Sequence, residues 1–519
     1  MERVFWWKVF FCVWELVAVF ATNHAASPHP KVMLISYDGF RFSYLGEHGP
    51  TPTFDKLVED GVYVPQLKNV FPTKTFPNHI SLVTGLYPGY HGGFSNSVYD
   101  RNTGAVVNMF NDGEKFVGGR PGVLPLWVVN EMAGDGRYSG VSMWPGATFG
   151  FGPEGRKPRH LLTYAPNMTW EARVDEVIPW FTDPEAPANF VAFYIEEPDK
   201  SGHNFGPDSE EVDAVVQKLD NLTHYIKTKL EDVGLWDEVN VILTSDHGMS
   251  PVNGTKILNI TEHVDMTKVA RGSSSPVLFF YALEGEEEIV EKQLRNASEA
   301  LKFELYTPED WPDKWHLGHL DHLPDFLAIS PVGYAFEEAF WLDAWNMRPD
   351  NMIYGQHGFD NDMEDMHPFM IGHGPRFKPG FKLEPSLSSK AAELMLNLDI
   401  FPMICDILGV KAPSNNGSIS RATPILRAVV HPTAHFANVI LRNCSSDIRW
   451  TQRLCNRGIM VVEKERLRNG QRCCYEVALR WCRCETRCRL QAADKAGARS
   501  EEEQHLLVPP PFLTATEEV

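Results

Sequence analysis

The body of this chain is almost without thiols. Nine cysteines occur in 519 residues. Cys12 lies in the first apolar stretch, seven fall between Cys444 and Cys488, and Cys405 stands alone in the long interval between. A metal centre built in that interval must therefore draw on carboxylate and imidazole, not thiolate. Positive charge is also scarce. Lys and Arg total 48 against 68 Asp and Glu, for a formal charge of -20. That balance argues against a nucleic-acid polymer as the main partner. It does not exclude a small phosphate substrate, because bound metal ions reverse a local field. No internal repeat is found, and no apolar run reaches the roughly 20 residues of a membrane span.

What is present describes a globular protein, 43% hydrophobic and 22% charged. Its length suits one large α/β domain or two to three smaller ones. Residues 1–26 read as a signal peptide, with Arg3 and Lys8 ahead of the apolar run Val9 to Phe20 and a small residue at Ala21. Glu15 interrupts that run. Asn-x-Ser/Thr sequons at Asn167, Asn221, Asn253, Asn259, Asn296, Asn416 and Asn443 suit the same secretory route and a glycoprotein. The expected product is extracellular, secreted or at the cell surface.

The stretch Phe71-Pro72-Thr73-Lys74-Thr75-Phe76-Pro77-Asn78-His79 stands between a strand-like run, Val62 to Val70, and a helix-like run, Ile80 to Leu86. Thr75 falls where a helix begins, with Pro77 in the first turn. Such a Thr serves either as a cap or as a nucleophile beside a phosphate held at the helix N-terminus. Lys31 to Ser36 reads as a buried strand ending in Tyr37-Asp38-Gly39, which puts Asp38 where open α/β sheets hold ligands. Its simpler role is a turn or cap. Thr53 to Gly61 reads as a short helix. Asn96, in a Gly/Ser loop, either donates to an oxygen that gains charge or bonds its own backbone. Tyr164 lies in a Pro-flanked loop, to pack or to stack on a base.

Later strands repeat the pattern. Asn189 to Ile195 leads to Asp199 and His203, whose spacing suits two ligands of one metal. Asp208 with Glu211 reads as the cap of a long helix carrying an apolar stripe from Val212 to Ile226. Val239 to Thr244 leads to Asp246-His247-Gly248, and His357-Gly358 follows. His367 and His373 read as structural. Ser388 to Leu408 reads as a helix on the sheet. The alternation predicts an α/β fold, a mostly parallel sheet with helices on both faces, over residues 27–426. Residues 427–519 form a Cys/Arg-rich tail, with twelve Lys/Arg against five Asp/Glu from 441 to 490. Disorder, a disulfide knot or an atypical end would each fit it.

Asp38, Thr75, Asp199, His203, Asp246, His247 and His357 together offer three carboxylates, three imidazoles and a hydroxyl. Two four-coordinate sites can be assembled from them, the ligand mix zinc accepts. Two metals clamping a phosphoryl group would suit attack by a threonine hydroxyl and a covalent phosphothreonine.

These residues sit in motifs that resemble the ectonucleotide pyrophosphatase/phosphodiesterase family of the alkaline phosphatase superfamily. The motifs are Ser36-Tyr37-Asp38-Gly39-Phe40-Arg41, Pro72 to His79, Thr84-Gly85-Leu86-Tyr87-Pro88, Glu197-Pro198-Asp199 with Gly202-His203, Ser245 to Met249, and His357-Gly358-Phe359-Asp360-Asn361. The resemblance covers roughly residues 30 to 420 and is closest to the short, single-catalytic-domain members. It implies two Zn2+ ions, one held by Asp199, His203 and His357 and the other by Asp38, Asp246 and His247. Thr75 becomes the nucleophile and Asn96 the oxyanion-binding residue. Phe76, Tyr164 and Tyr194 become the aromatic residues around a base. The implied activity is hydrolysis of a nucleotide or dinucleotide to a 5′-monophosphate. A choline-headgroup or lysophospholipid phosphodiesterase on the same scaffold, and a non-catalytic extracellular binding module, are the competing readings. Short relatives often end in a transmembrane helix and this chain shows none, which leaves membrane attachment open.

Overall fold

The structure, a computed structural model, describes residues 26–318, 322–336, 352–383 and 394–428, and the backbone of 448–454, 460–468 and 471–478. The signal-peptide reading, apart from Ala26, and the tail cysteines, apart from the backbone of Cys473 and Cys474, lie outside what it describes.

Eight strands make the central sheet. They are β1 (Lys31–Tyr37), β2 (Val62–Val64), β3 (Tyr138–Ser142), β4 (His160–Leu162), β5 (Ala188–Ile195), β6 (Val239–Thr244), β7 (Met370–His373) and β8 (Phe381–Lys382). Their spatial order is β8-β2-β7-β6-β1-β5-β3-β4. β7 pairs antiparallel with both neighbours, and the other pairings are parallel. Every residue of β1, β5 and β6 is buried, as a parallel sheet covered on both faces requires.

Alternation along β1 sorts the core. Val32 and Leu34 join one apolar cluster, Met33, Ile35 and Tyr37 the other. The second cluster is closed by α1 (Pro52–Asp60) and by α4 (Glu210–Asp232), whose Val212, Val216, Leu219, Leu222 and Ile226 are all buried. The first holds residues of α2 (Thr75–Thr84) and α5 (Ile400–Leu408). The short α3 (Asp199–Phe205) follows β5 at its carboxyl end. A second, antiparallel sheet includes the strands Val269–Gly272, Val277–Ala282, Phe326–Ile329 and Glu304–Tyr306. Residues 448–454, 460–468 and 471–478 form an antiparallel three-stranded sheet of their own.

Some boundaries differ from expectation for local reasons. The strand expected over Val62 to Val70 stops at Val64, where Pro65 removes the next ladder donor. The helix begins at Thr75, where it was expected, but ends at Thr84 rather than Leu86, because Gly85 takes a left-handed conformation as its C-cap. Ser209, not Asp208, caps α4, its Oγ accepting from Val212 N at 3.3 Å. Asp208 instead accepts from Arg41 Nη2 at 2.5 Å. Of the helix expected over Ser388 to Leu408, residues 388–393 lie outside the described residues, and the α-helical part is Ile400–Leu408 behind a 3-10 turn at Asn397–Asp399.

The chain divides into two compact units, Met1–Ala428 and Val429–Val519. All the residues singled out for chemistry lie in the first. A protein shortened to end at Ala428 should therefore fold cooperatively, melt within about 2 °C of the full chain and keep its hydrolytic rate. Scanning calorimetry and a phosphodiester assay check this. Loss of folding or of rate would make the second unit part of the catalytic body.

Candidate active site

The carboxyl ends of adjacent strands deliver the acidic residues. Asp38 follows β1, Asp199 opens α3 after β5, and Asp246 follows β6. Because β1 lies between β5 and β6, the three carboxylates converge although 161 and 47 residues separate them in sequence. Asp199 N donates to Asp38 O at 2.9 Å, tying the two loops together. Gly39 is required there. Its φ is +68°, and a Cβ would stand 2.8 Å from Asp199 Cα.

Two groups of possible metal ligands result, Asp38–Asp246–His247 and Asp199–His203–His357, each with its ligand atoms within 4.8 Å of one another. All three histidines are oriented in the same way. Nδ1 of His247 donates to Gly248 O at 2.9 Å, that of His203 to Gly355 O at 2.8 Å, and that of His357 to Thr73 O at 2.9 Å. Each Nε2 is thereby left as a lone pair, the arrangement that backbone carbonyls impose on metal-binding imidazoles. Those lone pairs face carboxylates. His247 Nε2 lies 3.1 Å from Asp246 Oδ2 and 3.4 Å from Asp38 Oδ1. The Nε2 atoms of His203 and His357 each lie 3.5 Å from an oxygen of Asp199. Asp38 Oδ1, Asp246 Oδ2 and Asp199 Oδ1 are buried without a hydrogen-bond partner among the described residues. Lone pairs facing buried carboxylate oxygens repel unless a cation lies between them, so the residues fit two bound metal ions.

The electrostatics agree. Burial, with the charges of Asp246 and Asp199, pushes the Asp38 carboxyl well above its usual range. Burial alone would also raise Asp246, but the His79 ring and the Gly39 N–H beside it hold it below. Burial depresses His247 and His357, which keeps both neutral and able to ligate. Tyr194 donates to Asp38 Oδ2 at 2.6 Å, and burial together with that carboxylate keeps its proton in place.

Thr75 is the first residue of α2, not its cap. Lys74 holds the cap position and makes no side-chain cap bond. The Thr75 hydroxyl lies 3.2 Å from His247 Nε2, aimed at the first ligand group. Asn96 does part of the capping instead, its Oδ1 accepting from Phe76 N at 2.8 Å. That leaves its Nδ2 as the donor available to a ligand.

Residues 32–360 match the family model described as type I phosphodiesterase/nucleotide pyrophosphatase. The chain belongs to this family. It is a nucleotide pyrophosphatase/phosphodiesterase, a hydrolase of a metal-dependent family. The bis(5'-adenosyl)-triphosphatase ENPP4 of Xenopus laevis is 34% identical over 82% of this chain and 87% of its own length. Family member 5 of Homo sapiens is 34% identical over 77% of this chain and 79% of its own. Among solved structures, murine ectonucleotide pyrophosphatase/phosphodiesterase 5, an inactive form in complex with AMP, superposes with a TM-score of 0.68 at 32% identity, over 77% of this chain and all of the other.

Above the ligand groups the phosphodiesterase has a cleft of about 1000 Å³. Thr75, Asn96, Asp38, Asp199, His203, His357, Tyr164 and Tyr194 all line it. Tyr164 is 63% exposed and so available to stack. Tyr194 is 8% exposed and holds Asp38. Phe76 is not a cleft residue. It is fully buried and packs on Phe110 and Phe149, and Phe110 lines the cleft in its place. Helical geometry accounts for this, since successive residues point about 100° apart and Thr75 and Phe76 cannot face the same space.

Sequence reading passed over His79, although it stands four residues after Thr75 on the same helix face. Its Nδ1 lies 2.9 Å from Thr75 O and 3.3 Å from Asp246 Oδ2, and its Nε2 lies 3.0 Å from Ser36 Oγ. His79 thus positions both the helix start and a carboxylate. Ser245 does the same for the loop after β6, its Oγ donating to Asp246 Oδ1 at 3.2 Å and accepting from Phe40 N at 2.9 Å.

The uncompensated acids make a stability prediction. An acid whose folded pKa is raised contributes stability that is full below its ordinary 3.8 and is lost as pH rises through the folded value. Asp38→Asn should thus stabilise the metal-free protein at pH 7, raising its melting temperature, while reducing the stabilisation that added zinc gives. Thermal melts with and without zinc measure both. A variant destabilised without metal and stabilised normally by zinc would mean that Asp38 is satisfied within the protein.

Proposed function

We propose that this phosphodiesterase is a secreted or cell-surface zinc hydrolase. It cleaves the phosphodiester or pyrophosphate bond of extracellular nucleotides or dinucleotides and releases a 5′-monophosphate. The observation that carries this reading is the Thr75 hydroxyl, free of any capping role, at the start of a helix and 3.2 Å from the Nε2 of a ligand-group histidine.

Asp38, Asp246 and His247 would hold one zinc ion, and Asp199, His203 and His357 the other. Bound there, the two ions would supply Lewis acidity and neutralise charge on the phosphoryl group. The chain's own residues do the rest. Thr75 Oγ attacks phosphorus from the helix N-terminus, its proton passing to solvent. The new Oγ–P bond replaces the bond to the leaving group. Water then hydrolyses the phosphothreonine and restores Thr75. Asn96 Nδ2 donates to a phosphoryl oxygen as charge gathers there, and the Phe76 N–H holds its amide in that orientation. Tyr194 fixes Asp38. Tyr164 stacks on the base, a contact that tolerates any base.

One of the relatives named above is described as a bis(5'-adenosyl)-triphosphatase, and a neighbouring structure holds AMP. Both support a nucleotide substrate. The test sets diadenosine triphosphate beside lysophosphatidylcholine with the zinc-loaded protein. Diadenosine triphosphate should be cleaved much the faster. Thr75→Ala should lower that rate about a thousandfold or more with zinc content unchanged, well beyond the effect of a lost helix cap of about 1 kcal/mol. Near-normal turnover by the variant would remove the phosphothreonine. Faster cleavage of the lipid would move the substrate class.

A further inference from the structure

The cleft contains a cationic side chain with a nitrogen that nothing among the described residues satisfies. Arg271 lies in the strand Val269–Gly272 at the edge of the second sheet, and it lines the cleft. Its Nη1 is buried and has no hydrogen-bond partner. Ser273, two residues on, also lines the cleft, and its hydroxyl is likewise buried and unpartnered.

This segment is held in place. Ser273 has a φ of +68°, a conformation costly for a residue with a Cβ. Its N–H donates to Ser97 O at 2.9 Å and to Ser97 Oγ at 3.2 Å. Ser97 directly follows Asn96, which bonds the helix start beside Thr75. The next residue, Ser274, accepts from Lys74 Nζ at 3.2 Å, and Ser275 O accepts from the same ammonium at 2.7 Å. Arg271 and Ser273 are thus tied on two sides to residues flanking the proposed nucleophile, and neither belongs to a metal-ligand group.

A buried donor on a cation is costly when left unmet, and an anionic oxygen satisfies it best. The position of the pair indicates which oxygen. Tyr164, Tyr194 and the segment Met143 to Gly146 reach the cleft from the carboxyl ends of β4, β5 and β3. Arg271 and Ser273 reach it from the second sheet, on a different wall. With the base at Tyr164 and the attacked phosphorus at Thr75, what remains for the second wall is the leaving group.

We propose that Arg271 and Ser273 form a subsite for a phosphate beyond the one attacked. The enzyme thereby selects substrates whose leaving group is itself a phosphate, dinucleoside polyphosphates and nucleoside triphosphates, over diesters whose leaving group carries none. A cationic choline headgroup would meet the guanidinium with like charge. The inference rests on the nucleotide reading above and specifies which nucleotides.

The test compares kcat/KM for diadenosine triphosphate with kcat/KM for the nitrophenyl ester of thymidine 5′-monophosphate, using the zinc-loaded full chain. The second substrate has no phosphate beyond the scissile one. Arg271→Gln should lower the ratio of the two values roughly 10- to 100-fold, mainly through KM, the range given by loss of a hydrogen bond to a charged group. Arg271→Lys should recover part of it, and Ser273→Ala should lower it roughly 3- to 10-fold. If Arg271→Gln does not fold, the lysine and Ser273 variants carry the same comparison. A ratio unchanged within twofold, whether both values fall together or neither falls, overturns the subsite. A wild-type protein that cleaves both substrates while the variants keep its ratio refutes the subsite alone. One that cleaves neither refutes the nucleotide reading and the subsite with it.

Discussion

Three carboxylates at the ends of neighbouring strands, each with a buried oxygen that no donor among the described residues satisfies, are the constraint around which this protein is arranged. Left alone they repel one another, and burial with the charges of its two neighbours pushes the Asp38 carboxyl well above its usual range. Much of the surrounding structure holds them in place regardless. Tyr194 donates to Asp38, Ser245 and Gly39 to Asp246, and His79 stands against Asp246. Backbone carbonyls turn three imidazoles so that their lone pairs face the same carboxylates. A protein that only needed to fold would replace such a cluster with apolar side chains. One that binds two divalent cations needs it as it stands.

The sheet makes the convergence possible. Parallel strands all end on the same side, so the loops after β1, β5 and β6 meet without any of them being long. α2 brings its N-terminus to the same place, and Thr75 arrives with it. The second sheet then supplies a wall that the central sheet cannot, carrying Arg271 and Ser273. Chemistry at the floor is thus set by the central sheet, and the choice of leaving group by an independent element.

Much of this was legible in the sequence, for an identifiable reason. Asp38, Asp199, Asp246 and His247 each stand just past a buried apolar run, and such runs declare themselves by composition. His203 follows Asp199 at a spacing one short helix allows, and α3 is that helix. The family motifs placed Thr75 and His357 beside them. What the sequence hid depends on long-range contact or on direction. Phe76 is adjacent to Thr75 in the chain but points into the core. Tyr194 reads as an aromatic beside a ligand, but only the pairing of β1 with β5 puts its hydroxyl on Asp38. Arg271 has no motif, and its place in the cleft depends on Ser273 bonding Ser97, 176 residues earlier. The cap of α4 moved by one residue because Arg41, far away in sequence, claims Asp208.

The claim that two metal ions complete this site is tested most directly by stoichiometry. The full chain, stripped by a chelator and dialysed, is titrated with zinc while bound metal is counted by atomic emission and hydrolysis of diadenosine triphosphate is followed in the same samples. The account predicts no turnover in the metal-free protein, two zinc ions bound per chain at saturation, and activity that rises with occupancy. Full activity without metal, or a saturated protein holding a single zinc ion, would contradict it.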